Sequence, residues 1–146
     1  MPTTTIPLDE SEFFHYIESG AARLTPRQAR QLVSDLPDLG GDFAKMRESD
    51  YPETERQLWF LASVVESVWT DGYHDMPYRA ALEAAFAITY FQRDVDLIPD
   101  SIESIGLIDD AAIVQTVFAR NAIAYETFAK ATQLDWAEFR IEPDPS

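Results

Sequence analysis

The longest apolar run of the chain is Ala80–Phe91, and it is interrupted by Glu83. A membrane-spanning helix needs about 20 apolar residues, so this shorter run predicts a buried helix instead. A helix that is apolar on nearly every side needs neighbours on every side, and small side chains let them approach closely. We therefore predict an all-α fold, a compact bundle of about six helices with the Ala-rich helix Pro77–Phe91 at its centre.

The first 50 residues predict two shorter helices and a weaker third segment. Asp9 is placed to begin the first helix, and Gly20 to end it. Thr25-Pro26 with Gln28 has the pattern of a capping box with proline in the first turn. That second helix is predicted to end before Pro37, because proline and the following glycine pair disfavour helix. We expect residues 1–50 to form an N-terminal helical extension.

Residues 51–146 carry the longer helices, which we predict to form the core domain. Pro52 begins one that runs to about Thr70, and a turn with Gly72 follows it. After the Ala-rich helix and a loop, a last long helix is predicted from about Asp110 to Gln133. Asp135 is placed to cap a short final turn.

The charge balance narrows the function classes. The chain has 26 acidic residues against 11 Lys and Arg, which gives a net charge of −15 and a pI near 4.2. This argues against direct binding of nucleic-acid phosphates and of anionic membranes, both of which need a basic face. The chain has no cysteine, so thiolate metal sites and cysteine nucleophiles are excluded. With no secretory signal pattern near the N-terminus, we expect a cytoplasmic protein.

The segment between the two apolar helices has an unusual composition. Five aspartates fall within residues 94–110, interleaved with seven apolar residues. A fully solvated acidic loop would not need so many apolar side chains. We therefore expect a structured loop that packs on the core while its carboxylates make local contacts.

Eight residues of this segment form a recognisable pattern: Tyr90, Asp96, Ile98, Pro99, Asp100, Gly106, Asp109 and Asp110. With this pattern the segment resembles the YkvA-like family, a bacterial domain family of unknown function. The resemblance extends over about Met76–Arg120 and is strongest at Tyr90–Asp110, where Asp94 replaces the usual proline of the pattern. The resemblance implies a helical fold and brings no activity with it.

The favoured interpretation of these aspartates is structural, because Asp accepts hydrogen bonds from the free amides at helix starts. Asp109 is placed as the N-cap of the last long helix, and Asp100 in the first turn of a short helix, 101–105. Asp96 is placed in an Asx-turn, and Gly106 supplies the conformational freedom to turn the chain after the short helix. On this interpretation the protein needs no cofactor.

The alternative is a divalent-cation site. Asp96, Asp100, Asp109 and Asp110 could converge on Mg²⁺, Mn²⁺ or Ca²⁺, which prefer carboxylate oxygens. An EF-hand loop is excluded, because Pro99 would stand at the position that requires glycine.

Glu83 is the other candidate, as a lone carboxylate on the apolar helix. If it is buried, it needs a cation nearby to remain charged. Arg79 lies one turn earlier, and Arg120 or Arg93 could also supply that cation.

Three functions remain open from the sequence. We favour a non-catalytic interaction module that binds a basic protein partner, because a large acidic surplus steers such encounters. The alternatives are a metal-dependent enzyme or metal-binding protein built on the four aspartates, and a homo-oligomerising structural module.

Overall fold

The computed structural model describes residues 10–48, 52–97 and 103–139, with side chains described at 14–47, 52–92 and 111–139. These residues form six α-helices and no strand, which confirms the predicted all-α bundle. Two 3₁₀ turns, at Lys45–Glu48 and Trp136–Glu138, follow the second and sixth helices. The helices are α1 Glu10–Ala22, α2 Pro26–Ala44, α3 Glu53–Trp69, α4 Tyr78–Leu97, α5 Glu103–Arg120 and α6 Ala122–Ala131.

The Ala-rich helix α4 lies at the centre of the bundle, where α1, α2, α3 and α5 all pack on it. Its alanines at 80, 81, 84, 85 and 87 are each at most 1% exposed. Side chains this small keep the helix axes close, which produces the dense interior that stabilises a small domain. No helix within the described ranges has the length and apolarity to cross a bilayer.

Helix α1 continues through Gly20 to Ala22, so the predicted end at Gly20 is wrong. The glycine serves packing instead, because a Cβ at this position would overlap the Phe86 ring of α4. Buried side chains of α1 and α2, Ile17 and Phe43 among them, belong to the same hydrophobic cluster as those of α3, α4 and α5.

Helix α2 begins at the predicted capping box. The Gln28 amide donates to Thr25 Oγ1 at 3.1 Å, and the Thr25 amide donates to Gln28 Oε1 at 2.9 Å. The predicted end before Pro37 is wrong, because α2 runs to Ala44 with Pro37 inside it. Proline removes one backbone hydrogen bond, but Leu39 and Phe43 beyond it are buried in the core, and this burial favours continuing the helix.

The connection from α3 to α4 follows the predicted signals. Helix α3 begins after Pro52 and ends at Trp69, with Thr70 as its C-cap. Gly72 has φ of 74°, a conformation that glycine adopts without strain. The carbonyl of Pro77 accepts the first hydrogen bond of α4, from the Ala81 amide at 3.1 Å.

Helix α4 is longer than predicted and extends past Phe91 to Leu97. The helix runs through Asp94, which is compatible with it because Asp94 keeps the backbone N–H that a proline would lack and avoids a clash with the preceding turn.

The predicted last helix from Asp110 to Gln133 is wrong at both ends and in its continuity. Helix α5 begins earlier, at Glu103, and a break at Asn121 separates it from α6, which ends at Ala131. The predicted final turn is confirmed, because Asp135 Oδ1 accepts from the Ala137 amide at 3.1 Å.

Candidate functional site

Glu83 lies on the inner side of α4 and is fully buried, with 0% exposure. The Arg120 guanidinium at the end of α5 donates to both carboxylate oxygens, Nε to Oε1 at 3.0 Å and Nη2 to Oε2 at 3.0 Å. This two-point geometry is the strongest form of a charge-assisted pair. It confirms Arg120 as one of the cations predicted for this carboxylate.

Asn121 adds a third donor to Glu83 and explains the break between α5 and α6. Its Nδ2 donates to Glu83 Oε1 at 2.9 Å and to the Val117 carbonyl at 2.9 Å. Its backbone ψ of 23° lies outside the helical range, so the chain changes direction here. A buried side-chain amide thus satisfies both a carbonyl of α5 and the buried carboxylate.

Two further charges surround this pair. Glu18 of α1 accepts from Arg120 Nη2 at 2.6 Å, and Arg79 Nε lies 3.7 Å from Glu83 Oε2. The Arg120 guanidinium also lies 5.0 Å from the centre of the Phe14 ring, in a cation–π arrangement. We call Glu18, Arg79, Glu83, Arg120 and Asn121 the ionic cluster.

The hydrogen bonds of the ionic cluster favour the charged forms of Arg120 and Glu18. The hydrogen bonds that Arg120 donates to Glu83 and to Glu18 raise the pKa of Arg120, although its partial burial opposes this. The hydrogen bond and charge of Arg120 lower the pKa of Glu18, which is itself exposed. Two carboxylates face two guanidinium groups, so the cluster is neutral as a whole.

Tyr125 of α6 packs beside the same region. Its ring is fully buried, and its hydroxyl donates to the Ala80 carbonyl at 2.8 Å. Burial raises the pKa of Tyr125 well above its ordinary value, and the negative charge of Glu83 adds to this. The phenol therefore remains protonated and fastens α6 to α4.

The chemistry of the ionic cluster is structural. Both oxygens of Glu83 are occupied by three N–H donors, and the side chain has no exposed surface. A buried carboxylate with its charge fully paired is neither a free base nor a free nucleophile. The cluster joins α1, α4 and α5 at one point.

Much of the segment that we expected to be a loop with aspartate sites is helical in the structure. Asp94 and Asp96 lie in the last two turns of α4, while Pro99 and Asp100 fall outside the described residues. Gly106 lies inside α5, so it does not turn the chain there.

Asp109 and Asp110 also lie inside α5, whose start at Glu103 overturns the predicted N-cap role of Asp109 and the predicted end of the short helix at residue 105. The side chains at 93–97 and 103–110 are outside the described set, so convergence of four aspartates on a cation stays a prediction. Among the described side chains, no group of three or more His, Cys, Asp or Glu is arranged to hold a metal ion.

Sequence reasoning missed Glu18 and Asn121 as members of the ionic cluster. Glu18 is 102 residues away from Arg120 along the chain, so no local pattern connects them. Asn121 directly follows Arg120 within an apolar stretch, and that polar pair is the one signal in the sequence that indicates a buried network.

A segment of helices α4 and α5 is similar to a known protein family. Residues 80–115 match a family described as protein of unknown function, DUF1232. This DUF1232 segment begins in the first turn of α4 and ends in the second half of α5, inside the region of predicted resemblance. The match confirms the predicted resemblance of this region to a domain family of unknown function. No curated protein and no solved structure matches the chain.

The DUF1232 segment contains Glu83 but neither Arg120 nor Glu18. The partners that neutralise its buried carboxylate therefore lie outside the matched residues. Helices α1 and α3 complete the packing around the segment.

Proposed function

We propose that this protein is a non-catalytic interaction module whose acidic surface binds a basic protein partner. The proposal is supported by how the described charges are distributed. The buried carboxylates have cations beside them, whereas many exposed carboxylates have none.

The cations nearest the core are taken up by internal pairs. Arg120 and Arg79 face Glu83, and Arg47 Nε lies 2.6 Å from Oε1 of the buried Glu55. These pairs neutralise carboxylates that would otherwise be costly to bury. These three cations are therefore already paired and do not compensate the other exposed carboxylates.

Several exposed carboxylates have no Lys, Arg or His within 4 Å among the described residues. They are Asp38, Glu66, Asp71, Asp75, Asp135 and Glu138. Uncompensated charges at the surface create a field that attracts a basic molecule and orients its approach.

Three of these carboxylates lie close together in the chain, at the end of α3 and in the turn that follows. We call Glu66, Asp71 and Asp75 the acidic turn. Tyr73 holds the turn in place, because its ring packs on Phe128 of α6 with centroids 5.2 Å apart. An ordered turn loses little conformational freedom on binding, which favours affinity.

The test compares a charge-neutralised variant with a matched control. The acidic-turn variant is Glu66→Gln, Asp71→Asn, Asp75→Asn, and the control removes three charges elsewhere through Asp38→Asn, Glu126→Gln, Glu138→Gln. Each protein is immobilised and exposed to host lysate, and captured proteins are quantified by mass spectrometry at low and high salt. We expect a basic protein that the wild type retains at low salt, that high salt releases, and that the acidic-turn variant retains less than the control does.

Recovery of no basic protein at either salt concentration would contradict the proposal. The proposal also includes a location in the bacterial cytoplasm, which fractionation of the host checks. The competing function, self-association through exposed aromatic side chains, is distinguished by the mass of the purified protein in solution.

A further inference from the structure

A groove with a volume of about 740 Å³ opens between α1, the start of α2 and α4. This size lies within the range of small-molecule pockets in proteins, roughly 300–1,000 Å³. The groove is separate from the acidic turn, and its lining comes from other residues.

One side of the groove is aromatic. The rings of Tyr16, Phe86 and Tyr90 contact one another, with centroid separations of 5.8 Å for Tyr16–Phe86, 6.3 Å for Tyr16–Tyr90 and 6.2 Å for Phe86–Tyr90. Tyr16 is 43% exposed, so part of this aromatic surface is open to a ligand. Gly20 maintains the arrangement, because any side chain there would displace the Phe86 ring.

The polar side of the groove is cationic. Arg23 lines it and is exposed, and no carboxylate of the described residues lies within ion-pair distance of its guanidinium. None of the lining residues is acidic, and His15 and Gln28 are further polar members. Residues 20–34 contain no Asp or Glu at all, in a chain with a net charge of −15.

We propose that this groove binds a small molecule that combines a flat aromatic ring with a carboxylate. The ring would cover the exposed face of Tyr16 beside the largely buried Phe86, where offset or edge-to-face contacts are favourable. The carboxylate would pair with Arg23, whose planar guanidinium suits a carboxylate better than a point charge does. An aromatic cation is disfavoured here because it would meet Arg23 without a counter-charge.

The test uses 2-naphthoate as the probe, with the full-length protein and amide chemical shifts as the readout. We expect saturable shifts at the groove residues of α1 and α4. The same ring with a cationic arm, 2-naphthylmethylammonium, should bind at least about fivefold more weakly, and acetate alone should not saturate at millimolar concentration.

Two matched variants separate a specific pair from general charge attraction. Arg23→Gln and Arg27→Gln each remove one exposed arginine, but only Arg23 lines the groove. Because neither arginine has an ion-pair partner in the described part of the chain, both variants should fold normally. We expect Arg23→Gln to weaken naphthoate binding about fivefold or more, and Arg27→Gln to change it less than twofold.

Equal weakening by the two variants would overturn the proposal, because the arginines would then act only through net charge. Equal binding of the naphthyl cation, or no saturable binding of naphthoate by the wild type, would overturn it as well. These outcomes are independent of the basic-partner experiment, which concerns different residues.

Discussion

At the scale of single residues, the buried carboxylate of Glu83 is the most consequential side chain that the structure describes. We expect Glu83→Gln to lower the free energy of unfolding by about 3 kcal/mol or more, because both guanidinium groups of the ionic cluster are left with Glu18 alone and Arg120 is only 10% exposed. The control is Arg79→Gln, which removes a contact at 3.7 Å from a side chain that is 65% exposed. That change should cost less than about 1 kcal/mol. Urea denaturation of both variants checks the difference, and equal losses would contradict a buried two-point pair.

The raised pKa of Tyr125 predicts how the stability of the folded protein changes at alkaline pH. Its pKa is raised in the folded protein by burial, whereas the unfolded chain releases the phenol proton near its ordinary value of about 10. Above that pH the unfolded state binds fewer protons than the folded state, so stability falls by about 1.4 kcal/mol per pH unit for this one proton. The loss continues until pH reaches the raised folded-state pKa. Denaturant midpoints measured from pH 8 to 11 should show a smaller decline in Tyr125→Phe than in the wild type.

A parallel Tyr73→Phe variant serves as the comparison for that titration. Tyr73 is half-buried, and its pKa is raised by burial and by Asp75. Its contribution to the alkaline decline should therefore be smaller than that of Tyr125. If Tyr125→Phe declined as steeply as the wild type, the buried phenol would not be the cause.

At the scale of helices, most starts were predictable, but the start of α5 and several ends were not. The capping box at Thr25 and the start after Pro77 depend on residues within one turn, so the sequence alone is sufficient to locate them. The expected ends at Gly20 and Pro37 failed because distant packing decides them. Gly20 lies inside α1 for the sake of Phe86, and the buried residues beyond Pro37 carry α2 onward.

The dependence on distant packing also explains which parts of the candidate sites the sequence could predict. The sequence correctly indicated that Glu83 needs a cation and named Arg120 among three candidates. It could not indicate Glu18, because contacts between α1 and α5 arise only after both pack on α4. The aspartate segment was interpreted from local capping rules, and these failed at Asp109 because α5 begins at Glu103.

Two glycines inside helices provide a test of helix packing with opposite expected signs. Gly20→Ala should destabilise the protein by about 1–2 kcal/mol, because crowding against Phe86 outweighs the gain in helix propensity. Gly41→Ala should stabilise it by up to about 1 kcal/mol, because nothing lies within 4 Å of the added methyl group. Thermal and urea unfolding measure both variants. A stabilising Gly20→Ala would show that α1 does not depend on this close approach.

At the scale of the whole molecule, a net charge of −15 is expected to favour binding of a basic partner but to lower the stability of the folded protein. Like charges on a small surface repel one another, and this repulsion favours the unfolded chain. Salt should weaken the attraction within the ionic cluster only slightly, since it screens buried pairs much less than exposed charges.

Salt should therefore stabilise this protein while it weakens partner binding. Between about 10 mM and 0.5 M NaCl the Debye length falls from about 30 Å to below 8 Å, so surface repulsion is largely screened. We expect the melting temperature to rise by several degrees over this range, and the acidic-turn variant (Glu66→Gln, Asp71→Asn, Asp75→Asn) to be more stable than the wild type at low salt. Calorimetry across the salt series measures both effects. A melting temperature that falls with salt would mean that attractive surface pairs outweigh repulsion. The acidic surface would then not destabilise the folded protein, and this prediction would be wrong.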